Sequence, residues 1–255
     1  MLDAIYASGS GLIANQTRLE VLSNNIANIN TPAFKKGRTR FVDVAYRNLA
    51  VQGDPNQLAQ VGLGTAVSGV QSDFAQGDLR QTDRSLDVTI QGNGFFEVKV
   101  NESELAYTRI GALQVGADGE LQTTEGYELS GSLRIPADAT RISISETGEV
   151  MVTVPDEAAP VSVGQLELTR FLNPEGLEAI GQGLFRSTDA SGQAFYSEPG
   201  LDGTGVVKQG FLEASNVDLV DELTELLLAQ RAYQLNAKVI QAADEILAEV
   251  GNLRR

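Results

Sequence analysis

Apolar residues recur every seven positions at both ends of this chain, whereas between the ends they alternate with polar residues. The repeat near the start consists of Ile5, Leu12, Leu19 and Ile26. The repeat near the end consists of Leu212, Leu219, Leu226, Tyr233, Ile240 and Leu247. Because a seven-residue apolar repeat drifts only slowly around a helix, each repeat predicts a helix lying almost parallel to a partner helix.

Local signals set the limits of the two predicted helices. The first is expected from Leu2 to Ile29, because Asn-Thr-Pro follows at residues 30–32 and proline cannot continue the helical hydrogen bonds. The second is expected to open at residues 215–218, where polar side chains can accept from free backbone amides, and to run to about Leu253. It would be roughly 55 Å long and should project from a domain of this size.

The chain between about Gly77 and Gly210 has the period of β-strands. Alternation is clear at residues 87–90, 96–100, 142–144, 150–154 and 161–163, with turn signals at Asp118-Gly119 and at residues 146–148. Many short strands without helix patterns between them predict an antiparallel sandwich or barrel. Residues 47–76 are rich in glycine, glutamine and asparagine and predict an extended or loosely ordered arm.

The predicted fold class is α+β. Residues 1–34 with 213–255 should form a coiled-coil-like terminal helical domain for assembly, residues 35–76 an arm or linker, and residues 77–212 a mainly antiparallel β core domain.

The two helices have two possible kinds of partner. They can pair with each other as a hairpin on a monomer, which needs a single apolar seam. Both helices also carry apolar residues outside that seam, namely Val21, Leu22, Ile29, Leu223, Leu227 and Leu228. This surplus favours further neighbours, and head-to-tail packing of copies would supply them in an open helical filament.

Charge and composition exclude several functions. The formal net charge is −15, most of it between residues 41 and 212, which argues against a nucleic-acid partner. The basic cluster from Lys35 to Arg40 is expected either to meet an acidic surface on a neighbouring copy or to be a solvated loop. The apolar stretches are too short for a membrane span, and residues 1–4 lack the basic start of a cleaved signal peptide.

The chain has no cysteine and no histidine. Thiolate and imidazole metal sites and the common nucleophile–base pairs are therefore excluded. Carboxylate-only catalysis, as in glycosidases, stays open in principle, but no carboxylate pair is marked by its spacing. We expect no enzyme activity, no metal and no cofactor.

Motifs at both ends carry a family resemblance. Residues 23–35, SNNIANINTPAFK, closely resemble the N-terminal signature of bacterial flagellar rod and hook proteins. Residues 210–219, GFLEASNVDL, and 230–240, QRAYQLNAKVI, resemble the C-terminal signature of the same proteins. In the middle, residues 77–82, 86–88, 92–96, 107–109 and 163–166 are similar to the rod subfamily, most of all to its distal rod members. One departure is Ala33, where the family usually has glycine; a positive φ there would strain alanine.

The resemblance implies a structural subunit of the flagellar basal body. Subunits would stack helically around a central channel, with the terminal helices innermost, and form the rigid distal rod that transmits torque from the motor to the hook. Implied partners are copies of itself, the proximal rod, the hook, the ring proteins and the flagellar export apparatus. The implied location is the rod across the periplasm, reached without a cleaved signal peptide.

Thirteen residues are expected at the assembly interface. Within the N-terminal motif, Asn24, Asn25 and Asn28 could set helix register through buried amide hydrogen bonds, or simply favour a turn at the end of the helix. The expected interface residues are Ile5, Leu12, Leu19, Asn24, Asn25, Ile26, Asn28, Phe34, Leu219, Leu226, Tyr233, Ile240 and Leu247.

Two other functions stay open from the residues alone. One is a proximal rod or hook subunit of the same family. The other is a β-domain binding module or glycosidase whose terminal helices only oligomerise it.

Overall fold

A computed structural model describes residues 2–50, 58–101, 104–131, 133–155 and 159–253. Contacts divide the chain into two compact units. The first, here called the helical unit, comprises residues 1–28, 36–73 and 217–255; the second, the β unit, comprises residues 29–35 and 74–216. In this division the segment expected as an arm groups with the two helices.

The helical unit contains both predicted helices, α1 (Leu2–Ala27) and α2 (Leu219–Leu253). Helix α1 ends ahead of Pro32, two residues earlier than expected. Helix α2 begins after Asp218, whose Oδ1 accepts from the backbone N–H groups of Val220 at 2.8 Å and Asp221 at 3.2 Å. This is the predicted N-terminal cap. Among the described residues, no helix combines the length and the apolar character that crossing a membrane requires.

Four strands complete the helical unit: β1 (Gly37–Asp43), β2 (Tyr46–Ala50), β3 (Leu58–Gly62) and β4 (Thr65–Ser72). β1 pairs antiparallel with β4, and β2 with β3. The start of β4 lies against α1, where the backbone N–H of Thr65 donates to Ser10 Oγ at 3.2 Å. The region expected as a loosely ordered arm is therefore built of paired strands, except that residues 51–57 lie outside the described residues.

The β unit consists of sixteen described strands and one short 3₁₀ helix, Pro174–Gly176. The strands are β5 (Leu79–Gln81), β6 (Val88–Gln91), β7 (Phe96–Asn101), β8 (Glu104–Thr108), β9 (Leu113–Val115), β10 (Leu121–Thr123), β11 (Glu128–Leu129), β12 (Arg141–Ile144), β13 (Glu149–Thr153), β14 (Val161–Gln165), β15 (Leu168–Arg170), β16 (Glu178–Gly181), β17 (Leu184–Arg186), β18 (Phe195–Ser197), β19 (Val206–Gln209) and β20 (Phe211–Glu213).

All strand pairs described in the β unit are antiparallel, as predicted. The largest sheet has seven strands in the order β16-β17-β8-β7-β11-β10-β9, and a second has the order β12-β13-β14. Three further pairs are β15-β18, β6-β19 and β5-β20. The α+β class with a mostly antiparallel β domain is confirmed.

Two apolar clusters form the core of the β unit. The larger contains alternate residues of the predicted strands, such as Val88 and Ile90 of β6 and Val150 and Val152 of β13, all of them buried. The smaller is aromatic, and its rings meet edge to face; the Tyr107 and Phe171 ring centroids, for example, are 4.7 Å apart. This geometry brings the positive edge of one ring to the negative face of the other.

Left-handed backbone occurs at the predicted turns. Gly119, between β9 and β10, has φ +83°, and Gly148, between β12 and β13, has φ +84°. Ala33 also has a positive φ, +54°, and is buried. The strain expected from alanine at this position is therefore present, and a left-handed residue other than glycine costs about 1–2 kcal/mol.

Candidate assembly surface

Helices α1 and α2 lie antiparallel in the helical unit. Near the end of α1 the Asn25 side chain donates from Nδ2 to Glu222 Oε2 at 3.1 Å. Closer to the start of α1, Arg18 forms an ion pair with Glu225. Near the other end Gly11 faces Asn236, because a Cβ at Gly11 would lie 2.8 Å from Asn236 Nδ2. Residues further along α2 therefore contact residues nearer the start of α1, as an antiparallel pair requires.

The seam between the helices is lined by small and polar side chains. On α1 the buried residues are Ser8, Gly11, Ala14, Leu22 and Asn25. On α2 they are Glu222, Ala229 and Ala243, with Asn236 half-buried between the two alanines, so that this line repeats every seven residues. Small side chains allow two helix backbones to approach closely. Leu22, expected outside the seam, is buried as well.

Sequence reasoning missed this line, although a signal for it was present. Gly11, Ala229 and Ala243 occupy heptad positions just as the leucines do. A repeat of large apolar residues is the stronger sequence signal for a helix interface, because large residues contribute more buried area. The closest approach of two helices, however, is governed by their smallest residues.

The expected apolar stripe lies beside the seam. Its residues on α1, Ile5, Leu12, Leu19 and Ile26, are all half-buried. On α2, Leu226 and Ile240 are half-buried, and Leu219, Tyr233 and Leu247 are exposed. Phe34, in the β unit, is half-buried, and its backbone carbonyl accepts from the Asn216 N–H at 3.3 Å.

The three asparagines differ in role. Asn25 is buried and exchanges two hydrogen bonds with the backbone of Gly37, donating at 3.0 Å and accepting at 2.8 Å, besides its bond to Glu222. The Asn28 side chain donates at 2.9 Å to the backbone carbonyl of Asn24, which is exposed. Asn25 thus ties α1 to α2 and β1, whereas Asn24 and Asn28 close the end of α1 locally.

Large apolar side chains outside the seam face solvent in heptad rows. Ile13 is 70% exposed and Tyr6, seven residues earlier, is 73% exposed. We call the whole set the apolar rows: Tyr6 and Ile13 of α1 with Val220, Leu223, Leu227, Leu228, Leu235, Val239 and Ile246 of α2. A concentration of exposed large apolar side chains usually marks an interaction site. The surplus expected at Leu223, Leu227 and Leu228 is part of it.

The basic cluster divides between the two units. Lys35 is buried in the β unit and pairs with Glu213, with 2.5 Å between Nζ and Oε1. In the helical unit Arg38 pairs with Asp73 at 2.8 Å, and Arg40 donates to Gln71 at 3.3 Å. Lys35 therefore fits neither expectation, since it is not solvated and its carboxylate partner belongs to the same chain.

Within the described ranges, no three acidic side chains converge closely enough to hold a metal ion.

Comparisons with known proteins agree with the motifs at the two ends. The family model for the flagella basal body rod protein matches residues 5–35. The model for the C-terminal region of the flagellar basal body rod FlgEFG proteins matches residues 208–253, and that for the D1 domain of the flagellar hook protein FlgE/F/G matches residues 89–152.

Several relatives that match over the whole chain are FlgG proteins. The flagellar basal-body rod protein FlgG of Caulobacter vibrioides is 41% identical over 261 residues, which cover 99% of this chain and 100% of that protein. FlgG of Agrobacterium fabrum is 41% identical over 255 residues, 97% of each chain, and FlgG of Bacillus subtilis is 39% identical over 267 residues, 100% of each. This chain belongs to the FlgG family of flagellar basal-body rod proteins.

Membership of the FlgG family confirms the resemblance to the distal rod members. The chain is a structural subunit of the distal rod in the flagellar basal body, and it acts in motility. As an FlgG protein it belongs to a structural family whose members associate with other flagellar components.

Proposed function

We propose that this chain polymerises helically, with α1 and α2 packed as coiled-coil-like pairs at the inner wall of a tube and the apolar rows buried between copies. The polymer is the rigid shaft that transmits torque from the motor to the hook. The observation that carries this proposal is the exposure of large apolar side chains on two helices whose mutual seam is small and polar.

The difference between the small, polar seam and the large residues of the apolar rows supports polymerisation. The seam buries glycine, alanine, asparagine and serine, which contribute little apolar area. Many of the large apolar side chains of the two helices therefore stay exposed on a single chain. Covering it releases about 25 cal/mol per Å² of apolar surface removed from water. Neighbouring copies would cover it, and close-packed side chains would make the shaft stiff because they leave no free volume for shear.

The thirteen expected interface residues are part of the proposal. The half-buried leucines and isoleucines of α1 and α2 border the seam, so a neighbouring helix lying beside the pair would contact them together with the apolar rows. The exposed Leu219, Tyr233 and Leu247 lie on α2 with those rows.

Membership of the FlgG family supports the proposal that the chain has further flagellar partners. They are the proximal rod, the hook, the ring proteins around the shaft and the export apparatus, with the rod spanning the periplasm. The role needs no catalytic residue, cofactor, metal, nucleic acid or membrane insertion.

A deletion strain complemented with variants tests the proposal. Leu235→Glu places a charge on an exposed apolar row, where burial of an unpaired carboxylate costs several kcal/mol and each 1.4 kcal/mol is tenfold in an equilibrium constant. We expect no swimming and at least about a tenfold loss of assembled rods by electron microscopy of isolated basal bodies.

The matched control is Val161→Glu, which places the same charge at an exposed position of β14, an edge strand of the β unit's three-stranded sheet. It should leave swimming and rod assembly intact. Wild-type swimming by the Leu235→Glu strain, with the variant present in its rods, would show that the apolar rows are not buried between copies.

A further inference from the structure

A second exposed surface lies on the β unit around Arg170. Strands β15 and β18 form an antiparallel pair in which Arg170 is directly opposite Phe195. Four large side chains in this region are exposed: Leu172 by 87%, Leu201 by 55%, Tyr196 by 53% and Phe195 by 52%. We call these four residues with Arg170 the Arg170 patch.

Arg170 separates two hollows in this surface. One, of about 220 Å³, is lined by the aromatic residues Phe95 and Phe171 together with Leu172. The other, of about 290 Å³, is lined by Phe195 and Tyr196 together with Asp202. Arginine and aromatic side chains are enriched among the residues that contribute most to binding at protein interfaces.

Arg170 is exposed, and within the part of the chain that the structure describes its guanidinium makes no hydrogen bond or ion pair with another residue. Arg186 in the same unit differs, because it pairs with Glu104 at 3.3 Å and Glu178 at 3.4 Å. Asp202 lines the same hollow as Arg170, but its Oδ2 accepts from Ser197 Oγ at 3.3 Å. The cation is therefore available to an external carboxylate.

The surroundings of Arg170 are held in place. The Tyr196 hydroxyl donates to Glu97 Oε2 at 2.7 Å, which fixes the ring at the border of the patch. Gly203, with φ +77°, lets the loop after β18 approach the guanidinium, since a Cβ there would lie 3.2 Å from an Arg170 Nη atom. A surface that is already ordered loses little entropy when a partner docks.

We propose that the Arg170 patch binds a carboxylate-bearing face of the β unit of a neighbouring copy. Acidic residues outnumber basic ones by about two to one in this unit, so adjacent copies repel each other unless a cationic surface meets an acidic one. The patch supplies that cation with an apolar surround, and the acidic remainder of the unit supplies the partner. Because the two faces differ, the contact is head-to-tail and continues along an open polymer.

This contact rests on the proposed polymer and adds to it. The apolar rows would hold the terminal helices together, whereas the Arg170 patch would hold the β units to one another and oppose their relative rotation under torque. Charged contacts of this kind also suppress wrong registers, because a shifted neighbour would bring like charges together.

Site-specific cross-linking identifies the occupant of the patch. The chain has no cysteine, so Leu172→Cys carries a single benzophenone label. In basal bodies irradiated after assembly, we expect adducts between two copies of this chain, with the attached peptide from an acidic stretch of the β unit. The control, Val161→Cys, should give no such adduct. An adduct to a different flagellar protein, or none in basal bodies that contain the labelled chain, would overturn the proposal.

Charge reversal separates failure of the patch from failure of the polymer. In sedimentation of purified full-length chain, Arg170→Glu should raise the concentration needed for polymerisation by about tenfold, Arg170→Lys by less, and Arg141→Glu, an exposed cation elsewhere, not at all. Equal effects of Arg170→Glu and Arg141→Glu on a wild-type chain that polymerises would refute the patch alone. Absence of wild-type polymer would count against the proposed polymer, and the cross-link in basal bodies would still decide the patch.

Discussion

Lys35 and Glu213 lie 178 residues apart in the sequence and form an ion pair whose side chains are both fully buried in the β unit. The second carboxylate oxygen of Glu213 accepts from Arg109 Nε at 3.1 Å, and Oε1 also accepts from the backbone N–H of Gly77 at 2.9 Å. Burial lowers the pKa of Arg109, and Glu213 partly offsets that shift. One buried carboxylate therefore pairs with two cations and joins the first segment of the β unit to its last strand.

Removing the charge of Glu213 should destabilise the β unit strongly. In Glu213→Gln the buried Lys35 and Arg109 lose the carboxylate that both of them contact, and breaking a buried pair costs about 3–5 kcal/mol. The measurement is the urea midpoint followed by a probe in the β unit.

The matched control for that change is Glu178→Gln, because Glu178 and its partner Arg186 are both exposed. An exposed ion pair contributes about 0–1 kcal/mol, so this variant should unfold nearly as the wild type does. Similar midpoints for the two variants would show that the buried triad is not a main source of stability.

Glycine at position 33 should be tolerated or stabilising, unlike at other buried alanines. Ala33→Gly relieves the left-handed strain of about 1–2 kcal/mol but costs about 0.5–1 kcal/mol in chain entropy, so the net gain in the free energy of unfolding is about 0–1.5 kcal/mol. Ala106→Gly, at a fully buried position of β8, should lose about 1 kcal/mol or more. Equal losses in urea unfolding would contradict the strain at Ala33.

A designed disulfide tests the antiparallel register of α1 and α2. Because the chain has no cysteine, Gly11→Cys with Asn236→Cys introduces the sole pair, at positions where a Cβ at 11 would be 3.3 Å from Asn236 Cγ. That separation suits disulfide geometry. Oxidation should give a monomer of altered mobility on a non-reducing gel. The control pair, Gly9→Cys with Asn236→Cys, should not close, because a Cβ at Gly9 would have no atom of Asn236 within 4 Å.

The hydrogen bond between Asn25 and Glu222 should be lost in one variant and restored when the acid and the amide exchange places. Asn25→Asp replaces a donor with a second carboxylate facing Glu222, and loss of the bond with added repulsion should cost about 2–3 kcal/mol. Adding Glu222→Gln restores a donor, so the double variant should recover part of that loss in thermal unfolding followed by far-ultraviolet circular dichroism. No recovery would mean that Asn25 acts through Gly37 alone.

Sequence patterns were sufficient where the physical signal is local. Pro32 ends α1, Asp218 caps α2, and Gly119 and Gly148 make the turns, because each depends on the conformational limits of one residue and its neighbours. The same patterns underestimated the amount of β-strand in residues 36–73. Their glutamine, glycine and serine content favours loops, but pairing of β1 with β4 and the contact of β4 with α1 override that weak preference.

The sequence by itself determined that this chain has two heptad-patterned helices around an antiparallel β domain, and its motifs determined the flagellar rod family. Only the tertiary structure decided which face of each helix meets the other and which residue neutralises Lys35. Heptad spacing is compatible with several faces, and the choice among them depends on how closely the backbones can approach at Gly11, Ala229 and Ala243. A bond between residues 178 positions apart has no local signal at all, because it exists only after both segments have folded onto the same core.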